Sequence, residues 1–135
     1  MRNLKLSKPD INQKQKDRRK ERGRRAEQLA CDYLLEQGYS IQERNWRCRS
    51  GEIDLIAAHG ELTVIIEVRS RSRGAAAFGT PAESITARKI KQVRDTAAVY
   101  LYQTGKPEAN IRFDVVAVTF GVGDEYTFEH IQGAF

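Results

Sequence analysis

Gly51-Glu52-Ile53-Asp54-Leu55-Ile56-Ala57-Ala58-His59-Gly60-Glu61-Leu62-Thr63-Val64-Ile65-Ile66-Glu67-Val68-Arg69 reads as two apolar strands folded back on a short turn. Inside those runs stand two carboxylates, Asp54 and Glu67, and an unpaired carboxylate in such surroundings is costly to bury. Two that converge suit a divalent cation, which takes hard oxygen ligands. A turn at His59-Gly60 sets Asp54 opposite Ile65 and Glu52 opposite Glu67. Side chains alternate along a strand, so Glu52, Asp54, Glu67 and Arg69 then share one face, and Ile53, Leu55, Val64, Ile66 and Val68 fill the other. A loop one residue longer or shorter reverses the parity and separates the two acids. The ordinary alternative to a metal is a pair of carboxylates salt-bridged to nearby arginines.

On the N-terminal side, Ala26, Leu29, Ala30, Tyr33 and Leu34 recur at helical spacing from about Arg22, and Gly38 ends that helix. Tyr39 to Glu43 reads as a short strand, and Arg44 to Ser50 as a basic connection around Trp46. The hairpin strands cover about 52–57 and 62–69, followed by a loop from Ser70 to Pro81. A second helix is predicted over roughly Ile85 to Tyr102, with Ile90, Val93, Ala97 and Leu101 inward; Thr104-Gly105-Lys106-Pro107 breaks it. Arg112 to Phe120 is a buried strand and Tyr126 to Ile131 a further short one. The order α-β-β-β-α-β predicts an α/β fold, a mixed sheet flanked by helices.

A chain of 135 residues supports one domain with a real core. Hydrophobic content of 40% and charged content of 30% are those of a soluble globular protein, and no apolar run reaches the roughly 20 residues of a membrane span. The basic N-terminus lacks the apolar stretch of a secretory signal, so a cytoplasmic location is expected, with Cys31 and Cys48 as reduced packing residues. The net charge of +5 divides unevenly. Residues 1–25 hold 11 Lys/Arg and 3 Asp/Glu (+8), leaving 12 and 15 (−3) for residues 26–135. Residues 1–21 therefore read as a basic, disordered arm before a domain at 22–135. Such an arm either attracts phosphate non-specifically or serves only solubility.

No Walker-type glycine loop, G-x-S-x-G elbow or zinc-spaced Cys/His set is present. His59 falls in a turn and His130 near the C-terminus, so neither reads as a general base.

Gly51-Glu52-Ile53-Asp54-Leu55-Ile56-Ala57 with Glu67-Val68-Arg69-Ser70-Arg71 resembles the YraN-type family of small uncharacterised bacterial proteins. Gly23-Arg24-Arg25-Ala26-Glu27-Gln28-Leu29-Ala30, Gly38-Tyr39, Arg44-Asn45-Trp46-Arg47, Phe78-Gly79-Thr80-Pro81 and Gly133-Ala134-Phe135 extend the resemblance over about 23–135. That family is similar to the restriction-endonuclease-like, PD-(D/E)xK superfamily and, within it, to archaeal Holliday-junction resolvases. The resemblance implies an αβββαβ core and a D…E-x-K metal site. Asp54 and Glu67 would be ligands of Mg²⁺ or Mn²⁺ with the Val68 carbonyl as a third, and Glu27 a helix-borne acid that holds metal or orients water. Read without the resemblance, Glu27 is an ordinary solvated helix glutamate. Arg69 stands where the superfamily has lysine; it can clamp phosphate but cannot abstract a proton. Lys89, supported by Gln92, is a substitute cation if the second helix crosses the hairpin, and otherwise an ordinary exposed helix lysine.

Two functions of different class follow. One is a metal-dependent DNA endonuclease acting on branched or junction DNA. Arg44, Arg47, Arg49, Arg71, Arg73 and Lys89 would contact phosphates, and two-fold symmetric junctions would favour a homodimer. The other is a catalytically weak or inactive module on the same fold that binds nucleic acid or a protein partner. Trp46 could stack on a base, but a half-buried core position is the better fit.

Overall fold

Residues 11–72 and 85–135 are described by the computed structural model. The hairpin expected from the apolar runs is formed by β2 (Gly51–His59) and β3 (Leu62–Ser72). The turn is Gly60-Glu61, one residue later than the sequence reading, with Gly60 at a φ of 61° that suits glycine. The register is accordingly Leu55↔Ile66 and Ile56↔Ile65 through to His59↔Leu62. Asp54 is therefore not opposite Ile65, nor Glu52 opposite Glu67; a shift of one residue in the turn moves the register by one pair without changing parity. Glu52 faces Arg47 of the preceding strand and forms an ion pair with it at 3.0 Å.

Around the hairpin a five-stranded sheet assembles in the order β1-β2-β3-β4-β5, adding β1 (Ser40–Cys48), β4 (Ile111–Phe120) and β5 (Tyr126–Ile131). All neighbours are antiparallel except β3 and β4, which run parallel and are joined through α2 (Ala87–Gln103). A parallel pair needs such a crossover because the chain must return to the same end of the sheet. The order α-β-β-β-α-β-β is the α/β core predicted, with the extra strand present. Among the described residues no helix is long and apolar enough to cross a membrane.

Each helix covers its own side of the sheet. Ala30, Cys31 and Leu34 of α1 (Ile11–Glu36) pack with Leu55, Ala57, Val64 and Ile66. Val93, Ala97, Tyr100 and Leu101 of α2 pack with Ile53, Ile56, Ile65 and Phe113. Adjacent Ile65 and Ile66 belong to different clusters, as pleating requires for a strand buried on both faces. Thr86 caps α2, its Oγ1 accepting from Lys89 N at 3.1 Å.

Two segments depart from the sequence reading. Residues 11–21, expected to be disordered, are helical and extend α1 well before Arg22; with no apolar periodicity there, the pattern carried no helix signal. The basic connection at 44–50 is largely strand, because β1 continues to Cys48. Its alternation is hidden by a register shift between Ile41 and Glu43 and by Asn45 at a left-handed φ of 52°. Arg73 and the Phe78 to Pro81 segment lie outside the described residues.

Gly51, at the entry to β2, has a φ of 147°, and a Cβ there would lie 2.6–2.8 Å from the Gln92 side chain. Gln92 is exposed and can swing away, whereas the backbone conformation cannot be relieved so simply. Gly51→Ala is expected to cost about 1–3 kcal/mol in urea unfolding, with Gln92→Ala added to it restoring little. Full recovery in the double variant would show that the contact, not the backbone, sets the cost.

Candidate metal and phosphate site

The site begins where β2 and β3 part. Their ladder runs to Leu55↔Ile66 and stops at the next step, where Asp54 and Glu67 would face each other. On the other edge of β2, the pairing passes from Arg44↔Leu55 to Trp46↔Ile53, skipping Asn45 and Asp54. Alternation breaks at the same point: Leu55 packs with the α1 cluster, but Ile53 packs with Val93 and Ala97 of α2. Ile53 is thus not on the face of Leu55, as strict alternation had placed it, because the strand turns over at Asp54.

The parted strands leave the Val68 amide without a β2 carbonyl at that step, and Asp54 Oδ2 accepts from it at 2.8 Å. Asp54 is half-buried, and Glu67 is only 6% exposed. Burial, then the Glu67 charge, pushes Asp54 up to about 7, well above the usual carboxylate range. Burial also raises Glu67, against the opposing pull of Lys89, Arg69 and a hydrogen bond with Asp54. Both carboxyls are thus held above their ordinary range and titrate as a pair.

Two cations reach Glu67. Arg69 Nη2 lies 3.8 Å from its Oε1, and Lys89 Nζ of α2 lies 3.7 Å from the same oxygen. Lys89 thus arrives beside the acids from across the sheet, one turn before Gln92, whose side chain lies over Gly51.

Glu27, half-buried on α1, approaches from the opposite face. Burial and the Asp54 charge raise its pKa, while a hydrogen bond with Asn45 lowers it. The left-handed Asn45 thereby links α1 to the break in β2. Among the described residues no three acidic, His or Cys side chains gather closely enough to ligate one ion, so Glu27 flanks the Asp54–Glu67 pair without joining it.

The remaining predicted contacts are dispersed. Arg44 donates to Gln28 Oε1 at 3.0 Å, Arg47 pairs with Glu52, and Arg49 is exposed on the β1–β2 turn. Arg71 Nε donates to Thr119 Oγ1 at 3.2 Å. Trp46 is half-buried, edge-on to Tyr100 with ring centroids 5.2 Å apart, which makes it a core residue. Cys31 is buried, Cys48 half-buried, and both are free thiols.

A second polar cluster escaped the sequence reading. Asp114 of β4 is fully buried and accepts from Arg112 Nε and Nη2, each at 2.8 Å, and from Gly133 N at 3.0 Å. His130 Nε2 lies 2.8 Å from Asp114 Oδ2, and its Nδ1 lies 2.9 Å from Tyr33 Oη. Arg112 also donates to Tyr39 Oη at 2.7 Å. Burial pushes Asp114 up, but the bonds from His130, Arg112 and Gly133 outweigh it and hold the carboxyl below its ordinary value. The signal that could have found it is the one that marked Asp54, an acid inside an apolar strand.

The sequence profile of the uncharacterised protein family UPF0102 matches residues 26–118. A UPF0102 protein of Rhodococcus jostii is 44% identical over 113 residues, covering 84% of this chain and 94% of that one. One from Moorella thermoacetica is 47% identical over 118 residues, covering 87% and 97%. Another, from Anaeromyxobacter dehalogenans, is 45% identical over 119 residues, covering 88% and 87%. The match spans both helices' buried faces and the hairpin with its two acids, and the chain belongs to the uncharacterised family UPF0102.

Proposed function

We propose that this protein is a divalent-metal-dependent nuclease that hydrolyses phosphodiester bonds in DNA. The observation that carries the reading is the parting of β2 and β3, which brings Asp54 and Glu67 together in a largely buried position with Lys89 and Arg69 beside them. The donor set fits the ion. Mg²⁺ and Mn²⁺ favour carboxylate and carbonyl oxygens, and Mg²⁺ is held by one or two carboxylates while keeping several waters. Asp54, Glu67 and the Val68 carbonyl would hold it. When bound, such a cation supplies Lewis acidity toward a phosphoryl oxygen and acidifies water.

The chain's own groups would do the rest. Asp54 stays oriented by the Val68 amide. Lys89 and Arg69, both beside Glu67, would stabilise the negative charge that grows at phosphorus. Arg69 cannot serve as base, so its part is electrostatic. Glu27, half-buried and raised in pKa by burial and then by Asp54, would orient the attacking water. Preference for branched DNA rests on the resemblance to resolvases alone.

The same ion pairs support a second reading. With Arg69 in the lysine position and two cations already on Glu67, the acids could be internally neutralised and the domain a DNA-binding module with little turnover. A labelled panel of single-stranded, duplex, flap and four-way-junction DNA with Mg²⁺ or Mn²⁺ separates them. Cutting by wild type, lost in Glu67→Ala and reduced about 100-fold in Lys89→Ala, is expected of the nuclease. Cutting by Arg69→Lys alone, or binding with no cutting by either, supports the module.

A further inference from the structure

The extension of α1 beyond the sheet carries a concentrated net positive charge. Residues 11–25 hold Lys14, Lys16, Arg18, Arg19, Lys20, Arg22, Arg24 and Arg25 against Asp17 and Glu21, eight to two, a net +6. Residues 11–21 are all exposed, and the stretch precedes the family match, which begins at Ala26. Because it is one helix with the packed part of α1, each charge has a fixed bearing toward the site.

At about 100° per residue, seven of the eight cations fall into two rows of identical spacing, with Arg19 outside both. Lys16, Lys20 and Arg24 continue at i, i+4, i+8 to Glu27 at i+11. Lys14, Arg18 and Arg22 continue in the same steps to Arg25. The second row leads away toward the β4–β5 end: Arg25 lies over the Phe120 ring at 5.2 Å and pairs with Asp124 at 3.8 Å. The first leads to Glu27, half-buried and hydrogen-bonded to Asn45 where the β1–β2 pairing skips Asp54. From Lys16 to Glu27 the rise is about 17 Å.

We infer that the Lys16–Lys20–Arg24 row is a track for a nucleic-acid backbone, which it delivers to the Asp54–Glu67 site. The charge fits a polyphosphate chain, and exposed Lys and Arg gain by releasing its counterions. An anionic membrane surface is the poorer partner, because residues 12–25 contain no large apolar side chain to enter a bilayer. The inference takes its class of partner from the reading above, but its test does not need cleavage.

The experiment compares two variants of the full chain that lose equal charge. The row variant carries Lys16→Gln, Lys20→Gln and Arg24→Gln; the control carries Lys14→Gln, Arg18→Gln and Arg22→Gln, from the second row. Glutamine keeps helix propensity, and circular dichroism checks that α1 persists. Binding to a fluorescein-labelled duplex is followed by anisotropy in metal-free buffer over a range of salt. The row variant should bind at least tenfold more weakly, with a log K against log salt slope shallower by about 2–3, while the control loses less than threefold. Equal losses in both would reduce the helix to a diffuse charge and overturn the track. So would wild-type binding to anionic vesicles with none to duplex. A row-sensitive protein that never cuts DNA refutes the nuclease and keeps the track; a cutting protein with equal losses does the reverse.

Discussion

Asp54→Asn is expected to fold at least as firmly as wild type above neutral pH while losing more than about 100-fold in Mn²⁺ affinity. Losing a residue that only orients a metal ligand costs about 10–100-fold in affinity, and this change removes a charge from the proposed site itself. Asparagine keeps an oxygen for the Val68 amide and deletes the repulsion with Glu67. The pH dependence follows from the raised pKa. A carboxyl ordinarily near 3.8 that titrates at about 7 in the fold binds its proton more tightly when folded. Its contribution is therefore most favourable below 3.8, declines as the pH climbs to about 7, and is level above that. Glu67, also raised, adds to the same slope. In chelator, wild type should lose about 2–4 kcal/mol from this pair between pH 4 and 8, and Asp54→Asn should abolish most of that loss. Urea midpoints across the range, with and without Mn²⁺, measure both effects. Parallel pH curves for the two proteins would mean that the acids do not titrate as a buried pair.

The second large effect is in the cluster on the α1 side. Asp114→Ala should cost about 3–5 kcal/mol, because it strands Arg112 and His130 in a buried position without their counter-charge. For a chain of this size that lowers Tm by roughly 10–20 °C in calorimetry. Asp114→Asn should fall between, since it still accepts from Gly133 but loses the charge that holds Arg112. With a pKa held below the usual value, Asp114 adds stability at neutral pH that is withdrawn as acid protonates it. A Tm drop under about 3 °C for the alanine variant would show that the cluster is solvated and structurally idle.

The apolar runs around Asp54 and Glu67 made the hairpin, its α-β-β-β-α-β setting and the pairing of the two acids legible, because burial on both faces writes itself into composition. Breaks in regularity were not legible. A β-bulge and one left-handed asparagine turned the visible alternation of β1 into what read as a loop. The reversal at Asp54 comes from parted strands, a long-range outcome that no local pattern encodes. Lys89 could be named only conditionally, since its approach to Glu67 depends on how α2 crosses the sheet. Helix in residues 11–21 was invisible for a related reason: it extends from a packed segment and buries nothing itself.

The parallel seam between β3 and β4 sets the order in which the molecule can assemble. It joins Thr63 to Ile111, 48 positions apart, whereas the hairpin closes through neighbours such as His59 and Leu62. Closing a long loop costs more entropy and delays the contacts that reward it. Both acids ride on the fast hairpin, while Lys89 arrives with the slow crossover, so their mutual repulsion is met early and its relief comes late. Nucleation therefore takes place against the site's own charge, and conditions that protonate the pair should hasten folding more than they slow unfolding.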